Sequence, residues 1–212
     1  MKFLIIDTTK LSAFIVAKNG NKNYIKIIPE TKKHSEELLN SINDLVAETG
    51  LQLSDFDAIG AITGPGSFTG IRIGMSTVKA FVCAHGFKIM QANLFEVVAK
   101  TINEGTVILK NTNTTCYMAV IKKGKVASES IVDYDNLQNA IYKNVYYIAE
   151  EHLEEQLSYI NLNKIDNYPN IICEYFEEQF NNNNFVDINS FCPYYMQLSQ
   201  AERELKDKQN DK

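Results

Sequence analysis

The residues most suggestive of chemistry lie in TGPGSFTGIRIG, residues 63–74, where four glycines fall between a strand-like run (57–62, DAIGAI) and a helix-like one (71–84). A glycine-dense turn at such a junction is a common phosphate cradle, because free backbone amides at a helix N-terminus face an anion. A dinucleotide-binding turn would read G-x-G-x-x-G with an acid about 20 positions later. Here Thr69 stands where the third glycine belongs, and the next acid is Glu96. A P-loop would end in Gly-Lys-Ser/Thr, whereas Gly70 is followed by Ile71 and Arg72. Two readings remain. Ser67, Thr69 and Arg72 form an anion-binding turn, or Ser67 or Thr69 caps the helix while Pro65 and Gly66 turn the chain.

The glycines have a second use, since Gly66, Gly70 and Gly74 recur every four residues. On a helix beginning near Gly70, the residues Gly70, Gly74, Val78 and Phe81 share one face that is nearly bare in its first two turns. Glycine inside a helix costs about 1 kcal/mol relative to alanine, which a close backbone approach would offset. This face is therefore expected to receive another helix, either the chain's own from 33–49 or a partner's.

Other candidate groups are sparse. Asp7-Thr8-Thr9 places a carboxylate and two hydroxyls at a strand end, suited to a phosphate or to local turn bonds. His34, His85 and His152 are scattered without metal-ligand spacing, and no Ser-His-Asp or Cys-His pair can be assigned. His34 stands near a helix start, where it would meet a partner or steady the turn. Residues 125–212 contain no glycine, which makes a second, adenosine-holding loop hard to build. Neither catalytic residues nor a metal site are expected on this chain. Cys83, Cys116, Cys173 and Cys192 stand far apart, as buried thiols of an intracellular protein would.

These groups must be positioned by an ordinary α/β framework. Residues 3–6, 12–17 and 24–28 read as three strands, the last two separated by the hairpin signal Asn19-Gly20. Leu38, Ile42 and Leu45 follow helical spacing within 33–49, closed by Gly50. A strand (87–90) and a helix (94–102) complete the first half. The second half opens alike, with strands at 107–109, 116–121 and 126–132 and an amphipathic stretch at 137–142. The two hairpin glycines, Gly20 and Gly124, lie 104 positions apart, as tandem copies of one unit would place them. Strands are then expected at 145–149 and 186–188, a polar loop at 181–184, and a charged helix at 195–206. The domain plan that follows is a first α/β unit at 1–102, a second, degenerate unit at 103–192, and a C-terminal helix and tail at 193–212.

Composition limits the partners. The net charge of -5 argues against a large nucleic-acid footprint, yet residues 58–95 hold no acid and carry Arg72, Lys79 and Lys88. That leaves +3 on the glycine segment and -8 elsewhere. No apolar run approaches the roughly 20 residues of a membrane helix, and a cytoplasmic location is expected.

Three stretches, KHSEELLNSI (33–42), DAIGAITGPGSFTGIRIGMSTVKAF (57–81) and PYYMQLSQAE (193–202), resemble the TsaB family. These bacterial proteins are needed to make threonylcarbamoyladenosine next to the anticodon of tRNAs reading codons that begin with A. The resemblance is strong over 1–95. It implies a fold of the actin, sugar-kinase and Hsp70 (ASKHA) type, with two tandem RNase H-like units and the second reduced. It implies a non-catalytic scaffold forming a heterodimer with the transferase TsaD through the first two long helices, joined by the ATPase TsaE and meeting tRNA only through the complex. His34, Leu38, Ile42, Leu45, Gly70, Gly74, Val78 and Phe81 are the residues expected at that interface. ATP, ADP or a metal would be completed there by TsaD and TsaE, none being held by this chain alone. Where the family opens its second unit with Asp-Ala-Arg, this sequence has Lys110-Asn111-Thr112, and Gln197 replaces an arginine. The alternatives are a stand-alone kinase-like or peptidase-like enzyme using Asp7 and the glycine turn, and a regulatory homodimer.

Overall fold

The computed structural model describes residues 1–148 and 151–196. Two five-stranded sheets carry the architecture. The first begins with a meander of β1 (Lys2–Asp7), β2 (Ala13–Asn19) and β3 (Lys22–Ile28). Gly20, at φ +59°, supplies the left-handed residue between β2 and β3. Helix α1 (His34–Glu48) then crosses to β4 (Ala58–Gly64), and α2 (Phe68–His85) to β5 (Lys88–Asn93), which leads into α3 (Leu94–Ala99). The sheet order is β3-β2-β1-β4-β5, antiparallel over the meander and parallel from β1 to β5.

The second sheet repeats that plan. Its strands are β6 (Glu104–Lys110), β7 (Thr115–Lys122), β8 (Lys125–Asp133), β9 (Val145–Ile148) and β10 (Leu162–Ile165). Their order is β10-β9-β6-β7-β8, the mirror-written equivalent of the first, with the same mixture of antiparallel and parallel pairs. Between them run α4 (Tyr134–Ala140) and α5 (Glu151–Gln156), and α6 (Tyr168–Asn181) follows. Two such units in tandem make an ASKHA-type fold. The reduction of the second unit falls on α4 and α5, seven and six residues against fifteen in α1 and eighteen in α2, and on the four-residue β9 and β10.

Alternation along the strands sorts the cores. Leu4 and Ile6 of β1 with Ile15 and Ala17 of β2 face α1 and α2, while Phe3, Ile5 and Val16 face the other way. That second face shares one core with α3, α6 and the inner residues Val107, Leu109, Ala119 and Ile121 of the second sheet. Outside the second sheet, Ile108, Met118 and Tyr147 pack against Leu137 and Leu153.

Several expectations are corrected. Strand β10 and the fourteen-residue α6 are present where the sequence reading placed neither. The run at 186–188 is no strand; Val186 makes a single bridge to Ile89. Cys116 and Cys173 are buried, but Cys83, on the outer side of α2, and Cys192, in the coil after α6, are exposed. The helix expected at 195–206 lies outside the described residues beyond Met196, as does Gln197.

Candidate functional site

The site is built where β1 ends, and the turn Asp7 to Lys10 at its heart is buried. Asp7 Oδ1 accepts from the Thr9 amide at 2.9 Å and from the Thr9 hydroxyl at 2.6 Å. Asp7 Oδ2 accepts from the Tyr168 hydroxyl at 2.8 Å. Burial, and then the nearby Asp7 charge, pushes the Tyr168 hydroxyl well above the ordinary tyrosine range, so it stays protonated and able to donate. Lys10 holds its ammonium 3.5 Å from the centre of the Tyr168 ring. The carboxylate is thus turned inward onto the chain's own donors.

The glycine segment closes over this turn. Gly64 and Gly66 adopt φ of +135° and +152°, conformations that favour glycine. The Ser67 amide donates to the Thr9 carbonyl at 2.7 Å, and the Thr8 hydroxyl donates to the Gly70 carbonyl at 2.6 Å. A Cβ on Gly66 would collide with the Thr9 carbonyl, one on Gly70 with the Thr8 carbonyl, and one on Gly74 with the Thr8 hydroxyl. The four-residue glycine spacing does serve a close approach, but the approaching group is the β1–β2 turn and not a helix. Gly70 and Gly74 thus face the chain's own β1–β2 turn.

Most of the other residues expected at the interface also face inward. Leu38, Ile42, Leu45 and Val78 are buried in the core beneath α1 and α2, where they face Leu4, Ile6 and Ile59. Phe81 is half-buried against the same core. His34 Nε2 lies 2.8 Å from the Leu11 carbonyl, which can only accept, so this nitrogen carries the hydrogen and the ring steadies the β1–β2 connection. What the two helices leave outward is different: Leu39, 55% exposed, with Asn43 and Ala47 on α1, and Ser76, Ala80 and Ala84 on α2. The α2 residues recur every four positions and are small, allowing a second surface to come near.

At the tip of α2 the cap is settled. Ser67 Oγ accepts from the Gly70 amide at 3.1 Å, while Thr69 is exposed. Arg72 lies over the Phe68 ring at 4.0 Å and donates through Nε to the Tyr195 hydroxyl at 3.0 Å. Tyr195 stacks on Phe68 at 4.3 Å, and the Tyr194 amide donates to the Thr63 carbonyl. His34 of the first stretch thus meets the β1–β2 connection, the glycine turn of the second closes over that turn, and Tyr194 and Tyr195 of the third lie against the glycine turn and the start of α2. The contribution of Tyr168 was not legible beforehand, because the helix that carries it was missed.

The corresponding turn of the second sheet, between β6 and β7, contains no carboxylate. It closes on itself through the hydroxyls of Thr112 and Thr115, 2.8 Å apart. Among the described residues no three of His, Cys, Asp and Glu are grouped to hold a metal.

A family model described as TsaD, tRNA N6-adenosine threonylcarbamoyltransferase, matches residues 14–196. Over 81 residues the sequence is 34% identical to the tRNA threonylcarbamoyladenosine biosynthesis protein TsaB of Escherichia coli, covering 37% of this chain and 34% of that protein. Over 90 residues it is 31% identical to a tRNA N6-adenosine threonylcarbamoyltransferase of Streptococcus pneumoniae, covering 41% and 27%. The matched segment thus spans about a third of these relatives' length or less. Among solved structures, YeaZ from Pseudomonas aeruginosa is similar with a TM-score of 0.72 at 16% identity, over 92% of this chain and 99% of that one. The likeness to YeaZ is one of fold.

Proposed function

Because the chain belongs to the TsaD family and is TsaB/YeaZ-like within it, we propose that it serves threonylcarbamoyladenosine synthesis on tRNA as a non-catalytic scaffold. In this reading it docks a TsaD-type transferase and orders that enzyme's site, with a TsaE-type ATPase joining the assembly and any ATP, ADP or metal completed by those partners. The observation that carries the non-catalytic part is the inward-turned Asp7. Its two oxygens accept from Thr9 and Tyr168, and the glycine turn beside it is filled by Thr8 and Thr9. An enzyme of this fold needs such groups free to meet a phosphate or its cation.

In this reading the docking surface is what α1 and α2 leave outward. The outward residues Leu39 and Asn43 of α1 and Ser76, Ala80 and Ala84 of α2 take the place of the buried set, and Phe81 stays at their margin. The test is nucleoside analysis of tRNA from cells depleted of this protein. Threonylcarbamoyladenosine should fall sharply and return with the intact gene; an unchanged level would remove the assignment.

A further inference from the structure

Tyr168 is the first residue of α6, and its hydroxyl reaches across from the second half of the chain to a carboxylate of the first. It is buried, packed edge-on against Phe14 at 5.5 Å and covered by the Lys10 ammonium. Asp7 shares its other oxygen between the amide and hydroxyl of Thr9, so the carboxylate fixes the shape of the β1–β2 turn. That turn grips the start of α2 at two points: the Thr9 carbonyl accepts from the Ser67 amide, and the Thr8 hydroxyl donates to the Gly70 carbonyl. An unbroken relay of hydrogen bonds therefore runs from α6 through Asp7 and Thr9 to the first turn of α2. Each bond to the carboxylate is charge-assisted and stronger than a neutral one.

We propose that Tyr168 is a positioning residue for α2: its hydroxyl holds Asp7 in the place of a ligand, and through the β1–β2 turn sets the first turn of the helix. The order of the turn is supplied from within, by a side chain of the second half. The consequence for partner docking rests on the scaffold reading above; the relay itself does not.

Tyr168→Phe removes the hydroxyl and keeps the ring over which Lys10 sits. Amide hydrogen exchange is then read at Ser67 and Gly70, at β6 as a reference, and in the control Tyr159→Phe, which removes a tyrosine hydroxyl bonded to the Tyr134 carbonyl outside the relay. Exchange at Ser67 and Gly70 should accelerate about tenfold or more in Tyr168→Phe alone, with β6 changing less. Asp7→Asn should give the same pattern. Unchanged exchange at Ser67 and Gly70, or an equal rise at β6 signalling only a general loss of stability, would overturn the relay. If the exchange rises as expected while affinity for a TsaD-type partner does not fall, the relay stands and the docking reading is the part that fails.

Discussion

At Gly70 and Gly74 the choice of residue is fixed by what stands opposite. A methyl group at Gly70 would meet the Thr8 carbonyl, backbone that cannot swing aside. Gly70→Ala should accordingly lower stability by about 2–3 kcal/mol, read from denaturant midpoints, despite alanine's better helix propensity. Sequence spacing identified a bare helix face correctly but misassigned its neighbour. Nothing in G-x-x-x-G distinguishes an approaching helix from an approaching strand-end turn, because both ask only for the absence of a side chain. The same limit applied to Leu38, Ile42 and Leu45: apolar spacing locates a packed face, and the face nearest to hand was the chain's own sheet. His34 and Ser67 were read with two roles each, and at both a local hydrogen bond is present.

Among the elements, α1 and α2 have inner faces committed to the core and outer faces that are small or polar apart from the exposed Leu39 of α1. Ala80→Arg adds bulk and charge to the outer ridge of α2 without touching the buried side. It should leave stability within about 0.5 kcal/mol of the parent and abolish copurification with a TsaD-type partner; retained copurification would place docking elsewhere. The first-half elements were legible because hairpin, cap and helical spacing agreed with one another, as at Asn19-Gly20 and Gly86, which closes α2 at φ +72°. In the second half α6 was missed although Tyr168, Ile172, Tyr175 and Phe176 follow helical spacing behind an early proline. The asparagine run at 181–184 read as loop, and on the other flank the asparagines at 161, 163 and 167 gave no signal for an element, which hid the helix between them. That omission removed Tyr168 from view, and with it the hydroxyl that completes Asp7.

For the whole molecule, buried ionisable groups set the response to alkali. Burial raises the Cys173 thiol from 9.0 to about 11 and Cys116 from 9.0 to about 12, and Tyr168 is raised as well. In each the folded state keeps a proton that the unfolded chain loses sooner. Their contribution is fully present below the unfolded pKa and is lost as pH rises through the folded one. Denaturant midpoints should be level up to about pH 8.5 and then fall, each group adding about 1.4 kcal/mol per pH unit while only its unfolded form titrates. A profile flat to pH 11 would contradict this. Among the described residues no helix is long and apolar enough to cross a membrane.

The repeated sheet plan invites the picture of two halves that could come apart, and the shared core denies it. Phe3, Ile5 and Val16 lie in the same cluster as Val107, Leu109, Ala119 and Phe176, and Lys18 of β2 is paired with Glu177 of α6 at 2.7 Å. Neither sheet can expose its inner face to water without stripping the other's. The duplication survives as geometry, and the shared core predicts that heat or denaturant unfolds the two halves together in one transition.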